Sequence, residues 1–143
     1  MGYESYNFDV KLLGTTSIGQ VKRAITRMGY TICEDGTFEK ALAIGFIEIE
    51  VQKKYISVRT AKANDPNIIS EIIKDIDELN NAFQIDAFDL QLKQSVLLEQ
   101  LNEVMENFKR VRNEYHKYYP NIKYPIRCND VYKELSQIEK NEA

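Results

Sequence analysis

The sequence has no tryptophan, a single histidine and only two cysteines, and each scarcity removes a class of chemistry. Cys33 and Cys128 are far apart in the chain, with no CxxC spacing and no histidine beside either. Neither a zinc cluster nor a dithiol redox motif is indicated; both residues read as thiols of a cytoplasmic protein, and nothing in the composition demands the disulfide they could in principle form. His116 has no second His or Cys near it and reads as a solvated surface imidazole rather than a catalytic base. No long apolar run exists: the longest, "ALAIGFI" at 41–47, falls far below the roughly 20 residues a membrane helix needs. The opening "MGYESYNFDV" lacks the basic-then-apolar pattern of a leader, and Tyr6 stands where myristoylation needs a small hydroxyl residue. No cofactor, no metal and no membrane are implied.

What is present is an ordinary globular composition, 43% hydrophobic and 29% charged over 143 residues, enough for one core and too little for two. "YNFDVKLL" alternates Tyr6, Phe8, Val10 and Leu12 against polar residues, the period of a half-buried strand. Ile18, Val21, Ile25 and Met28 then recur at helical spacing, between a Thr16 or Ser17 cap and Gly29. Two alternating runs around "QKK", Ile47 to Val51 and Tyr55 to Arg59, predict a hairpin. Beyond an Asp65 cap and first-turn Pro66, Ile69, Ile72, Ile73, Ile76, Leu79 and Phe83 share one helical face.

"QIDAFDLQLKQ" at 84–94 fits two readings. Phe88, Leu90 and Leu92 alternate with Asp89, Gln91 and Lys93 as in a strand, yet 67–119 holds neither Gly nor Pro and also accommodates a long helical hairpin. With the strand, which is preferred, the fold is α+β: a small two-layer β-α-β-β-α-β domain of ferredoxin-like order. The alternative is a βαββ sheet plus a long helical hairpin. The expected organisation is a core domain over 1–94, a long helix over 95–119 that partly protrudes, and a terminal segment over 120–143. That last segment is extended around its prolines and then forms a short helix with Val131, Leu135 and Ile138 on one face.

The motifs exclude more than they assign. "GTTSIGQV" at 14–21 has the glycine spacing of a P-loop, but Gln20 and Val21 stand where Lys and Ser/Thr are required, so it reads as a loop and helix cap. RNA-recognition domains stack bases on exposed sheet aromatics. The solvent-facing series expected here is Asn7, Asp9, Lys11, Glu48, Glu50, Gln52, Tyr55, Ser57, Arg59, Asp89, Gln91 and Lys93, with one tyrosine among several carboxylates. That platform is a poor one for stacking. Asp9, Glu48, Glu50 and Asp89 would have to converge on one face to bind a cation or share a proton, and a solvated polar face is the simpler reading.

Charge is distributed unevenly: +2 over 1–63, −8 over 64–107, +5 over 108–127 and −2 over 128–143. The basic block "FKRVRNEYHKYYPNIKYPIR" mixes cations with tyrosines, the combination a nucleotide or single-stranded nucleic acid site uses. Its candidate anion-binding residues are Lys109, Arg110, Arg112, His116, Lys117, Tyr119, Lys123, Tyr124 and Arg127, with Arg23 and Arg27 extending it if the fold brings them near. Phe108, Val111, Tyr115 and Tyr118 form a narrow seam suited to pairing with a second copy or a protein partner. The preferred expectation is a small non-enzymatic binding protein of the inhibitor, antitoxin-like or phage accessory type, working through its long helix as a homo-oligomer or with a protein partner. Nucleic-acid or nucleotide binding through the basic block is the alternative.

Overall fold

The computed structural model describes residues 4–131 together with 133 and 134. The elements run β1 (Ser5–Leu12), α1 (Ile18–Arg27), β2 (Thr31–Ile32), β3 (Phe38–Leu42), β4 (Gly45–Val51), β5 (Tyr55–Ala61), α2 (Ile68–Ala82), β6 (Ile85–Asp89), β7 (Gln94–Ser95) and α3 (Leu101–Tyr118). All seven strands join one antiparallel sheet in the order β2-β3-β4-β5-β1-β6-β7. The four-stranded ferredoxin-like sheet expected from the sequence is thus corrected to seven strands. The additions are a β2–β3 hairpin at one edge, turning at Asp35–Gly36 where Gly36 has φ 88°, and β7 at the other, reached through Lys93 at φ 58°. The helical hairpin over 69–118 is overturned by β6 and β7.

Local chemistry explains the elements that were legible. Ser17 caps α1 in a capping box with Gln20, so the P-loop-like stretch is a helix start. In β1, Tyr6, Phe8 and Val10 are fully buried and face the core that α1, α2 and α3 cover. That core gathers Val21 and Ile25 of α1, Ile69, Ile72, Ile73, Ile76 and Leu79 of α2, and Val104 and Phe108 of α3. Each fully buried aliphatic side chain contributes about 1.5–3 kcal/mol of transfer free energy.

Two further expectations are corrected. α3 begins at Leu101 rather than 95, after a 3-10 turn at Leu98–Gln100, and its 18 residues span about 27 Å. It lies on the body instead of overhanging it, because Phe108 sits in the main core and Tyr115 in a second apolar cluster with Ala61, Ala63, Ile122, Ile126, Cys128 and Val131. Strand β6 presents the opposite face to the one anticipated. Ala87 pairs with Val10 and Asp89 with Phe8, so 85, 87 and 89 point inward while Asp86 and Phe88 point outward.

The terminal segment folds back over the end of the sheet. Residues 128–131 are helical and Val131 is buried, whereas Leu135 and Ile138 lie outside the described residues.

Candidate functional site

The basic block is tied largely to its own chain. Arg127 makes a bidentate pair with Glu39 through Nε at 2.7 Å and Nη2 at 2.9 Å, and its guanidinium lies 4.2 Å from the centre of the Phe46 ring. That pairing holds the Glu39 carboxyl below its ordinary range. Arg112 donates through Nε to the Asn64 carbonyl at 2.8 Å and lies 6.0 Å from the centre of the Tyr124 ring. Arg110 donates to Asn107 Oδ1 at 2.7 Å and is 3.7 Å from Glu114, and Lys109 is 3.8 Å from Glu106. Tyr119 is half-buried against Tyr115, with ring centres 5.0 Å apart. Lys117, Lys123 and Tyr124 are exposed.

His116 is not a solvated imidazole. It is half-buried, its Nε2 has no hydrogen-bond partner among the described residues, and burial, with Arg112 nearby, lowers its pKa. The apolar seam does not stand free either. Phe108 and Tyr115 are buried, Val111 packs on the main core, and of the four residues only Tyr118, 73% exposed, faces solvent. Arg23 and Arg27 lie on α1 beside Ile32 and Phe38, in a groove that shares no lining residue with the hollow around Lys123 and Arg127.

What anchors the block is a clamp that sequence reasoning missed. Asn64 is fully buried; its Nδ2 donates to Thr60 Oγ1 at 2.9 Å and to the Ile126 carbonyl at 3.0 Å, while its Oδ1 accepts the Ile126 N–H at 2.9 Å. Glu48 Oε2 accepts the Cys128 N–H at 3.0 Å. With Arg127 on Glu39, three consecutive residues of the terminal segment are gripped by side chains of the sheet and the loop after it. Cys128 is buried, which raises its thiol pKa and makes it an inert core residue.

Among the described residues none of α1, α2 and α3 packs on the outward face of the sheet, which the terminal segment meets at Glu39 and Glu48. Registered pairing arranges it in rows: Glu39–Glu48–Arg59–Asn7, then Glu50–Ser57–Asp9–Phe88, then Tyr55–Lys11–Asp86. Two hollows lie on it. One, of about 180 Å³, is polar and is formed by Asn7, Asp35, Thr37, Glu48, Glu50, Ser57, Arg59 and Asn129 around Ile49. The other, of about 370 Å³, combines Tyr55 and Phe88 with Asp9, Lys11, Lys54 and Asp86. Tyr55 is 43% exposed and Phe88 is half-buried.

Phe88 was assigned to the core by its alternation with Asp89, and Asp89 to the surface; the structure exchanges them. Asp89 is fully buried because four donors meet its carboxylate: Tyr6 O–H at 2.6 Å on Oδ2, and Gln91 N–H, Gln91 Nε2 and Leu92 N–H on Oδ1. The Tyr6 hydroxyl in turn accepts from Asn107 Nδ2 of α3 at 2.9 Å. Asp9, Glu48 and Glu50 therefore share the outer face without Asp89, and among the described residues no group of three metal-ligating side chains converges. Comparison with protein-family models, with curated proteins and with solved structures returns no match.

Proposed function

We propose that the chain is a non-enzymatic binding protein that holds a protein partner against the open face of its sheet. The observation that carries this reading is the hollow that exposed Tyr55 and half-buried Phe88 line together with Lys11 and Lys54, on a face on which none of α1, α2 and α3 packs. Aromatic side chains ringed by polar groups are the usual anchors of protein interfaces. The rim carboxylates Asp9, Glu50 and Asp86 favour a partner with Lys or Arg at matching positions. They disfavour a polyanion, and they disfavour a second copy presenting the same acids.

The inner strands stand in the order β4-β5-β1-β6, with α1 following β1 and α2 following β5. Within the larger sheet, these four strands fit the split βαβ arrangement of a ferredoxin-like unit, which leaves one sheet face available. In this reading the long helix supports the binding surface from behind instead of forming it. An inhibitor or antitoxin-like role, blocking a basic surface on another protein, is consistent with that placement.

The test is a double variant, Tyr55→Ser with Phe88→Ser, compared with the parent chain in affinity capture. Each recovered protein is then purified and titrated by calorimetry. At least a tenfold loss of affinity is expected, with the circular-dichroism spectrum unchanged because neither residue belongs to the core. A purified partner bound equally well by both proteins would place the interface elsewhere.

A further inference from the structure

A second surface lies on the other side of the molecule, where α1 meets the β2–β3 edge. Lys22, Arg23, Thr26 and Arg27 of α1 form a groove of about 420 Å³ with Ile32 and Phe38. Ile32, on the two-residue edge strand, is 60% exposed. The residues at 22, 23, 26 and 27 fall on two adjacent i,i+4 rows of one helical face, so Arg23 and Arg27 stack like charge on like charge, an arrangement that costs a helix stability.

No acid on the same helix relieves them. α1 contains no acidic residue, and none of the ion pairs among the described residues involves Lys22, Arg23 or Arg27. Arg27 in the last turn has a local explanation in the helix dipole, but Lys22 and Arg23 lie further into the helix and have none. Some cations elsewhere are paired, Lys40 with Asp75, Arg59 with Glu48 and Arg127 with Glu39, whereas others such as Lys11, Lys54 and Lys117 enter none of the ion pairs among the described residues. What sets this groove apart is clustering: three cations that enter none of the ion pairs among the described residues share one face of α1 beside an exposed isoleucine, in a chain of net charge −3.

We infer that this groove binds a short acidic segment of a protein partner, its carboxylates meeting Lys22, Arg23 and Arg27 and an apolar side chain covering Ile32. Charge complementarity selects the acidic segment, and the apolar floor selects a peptide over a nucleic acid. Phe38 is buried and offers no face for a base to stack on, and three cations within about a turn and a half of helix make too short a track for a phosphate backbone. The surface is distinct from the open sheet face, so the two readings stand or fall separately.

The test uses a fluorescein-labelled peptide of alternating Glu and Leu with a central Phe, titrated with the full chain and followed by anisotropy at about 50 and about 150 mM salt. Parallel arms use its Lys-for-Glu counterpart, an alternating Glu and Ser peptide, and a labelled twelve-nucleotide oligo-dT. The expected result is saturable binding of the Glu/Leu peptide, weakened at least tenfold by Arg23→Glu with Arg27→Glu and several-fold by Ile32→Ser. Tyr55→Ser with Phe88→Ser should leave it unchanged. All these positions are solvent-facing or half-buried, and unaltered circular dichroism checks the fold of each variant.

Absence of binding overturns the inference, as does equal binding of the Glu/Ser peptide, which reduces the groove to ion exchange. Tighter binding of oligo-dT would reassign the groove to nucleic acid. A dimer of the parent chain that Arg23→Glu with Arg27→Glu dissociates would reassign it to a second copy.

Discussion

Asn64 acts as a backbone surrogate. By accepting from Ile126 N–H and donating to Ile126 C=O, it completes a strand-like pair with one amide side chain, in a site from which water is excluded. The same crowding explains Gly45: at φ 154° it occupies backbone space that other residues avoid, and a β-carbon there would collide with the Asn64 side chain. Asn64→Ala leaves the buried N–H and C=O of Ile126 without these partners. The expected cost is about 2–4 kcal/mol, read as a lower urea midpoint in equilibrium unfolding. Asn64→Asp should also destabilise, because Asp loses both donors and sets a carboxylate against the Ile126 carbonyl. A midpoint unchanged in both variants would show that the terminal segment is held by something other than this clamp.

At the level of elements, α3 was readable as a helix and misread as a projection. Its apolar stripe is continuous from Val104 through Phe108 and Val111 to Tyr115, and the sequence alone permits that stripe to meet another chain. The structure folds the stripe onto two clusters of its own protein, while Tyr118 at the end of the helix remains in solvent. Phe108→Ala should therefore cost about 3–5 kcal/mol and Tyr118→Ala less than about 0.5 kcal/mol in chemical denaturation. Equal and small effects would return Phe108 to the surface. Strands β1, β4 and β5 and helices α1 and α2 were legible because each carries a single unbroken period. The β2–β3 hairpin was passed over although Asp35–Gly36, a strong turn signal, lies between its strands; two residues of β2 are too few to show alternation.

For the molecule as a whole, the titrating groups define a band of pH in which folding is most favourable. His116 has its folded pKa lowered by burial, with Arg112 as the second cause, so the unfolded chain takes up the proton first. Its contribution is present above the ordinary value of 6.5 and is lost as pH falls through it. Glu39, held down by Arg127, and Asp35, held down by its bonds from Thr37, act in the same direction at lower pH. Their contributions disappear below the ordinary values of 4.5 and 3.8. On the alkaline side burial raises Cys128, so stability declines once pH exceeds the ordinary thiol value of 9.0. Thermal midpoints should form a plateau at about pH 7 to 8.5 and fall in two steps on acidification. His116→Gln should remove the first step and leave the second. Survival of both steps in that variant would exclude His116 as the group responsible.

The sequence alone was sufficient to determine a mixed α/β character, its major periodic elements and the absence of a long apolar span, because those properties follow from composition and from spacing along one segment. It also located the basic, tyrosine-rich block, but only as composition. Whether a cation is free or matched depends on an acid far away in the chain, as Arg127 on Glu39 shows. Tertiary structure likewise decided which way β6 faces. Its alternation satisfies either phase, and the choice rests on burying Asp89, which is tolerable only where Tyr6 from β1 and the backbone of the following turn surround its carboxylate with donors. That choice turns Phe88 outward beside Tyr55 and creates the apolar hollow of the open face, a product of strand register that no local pattern encodes.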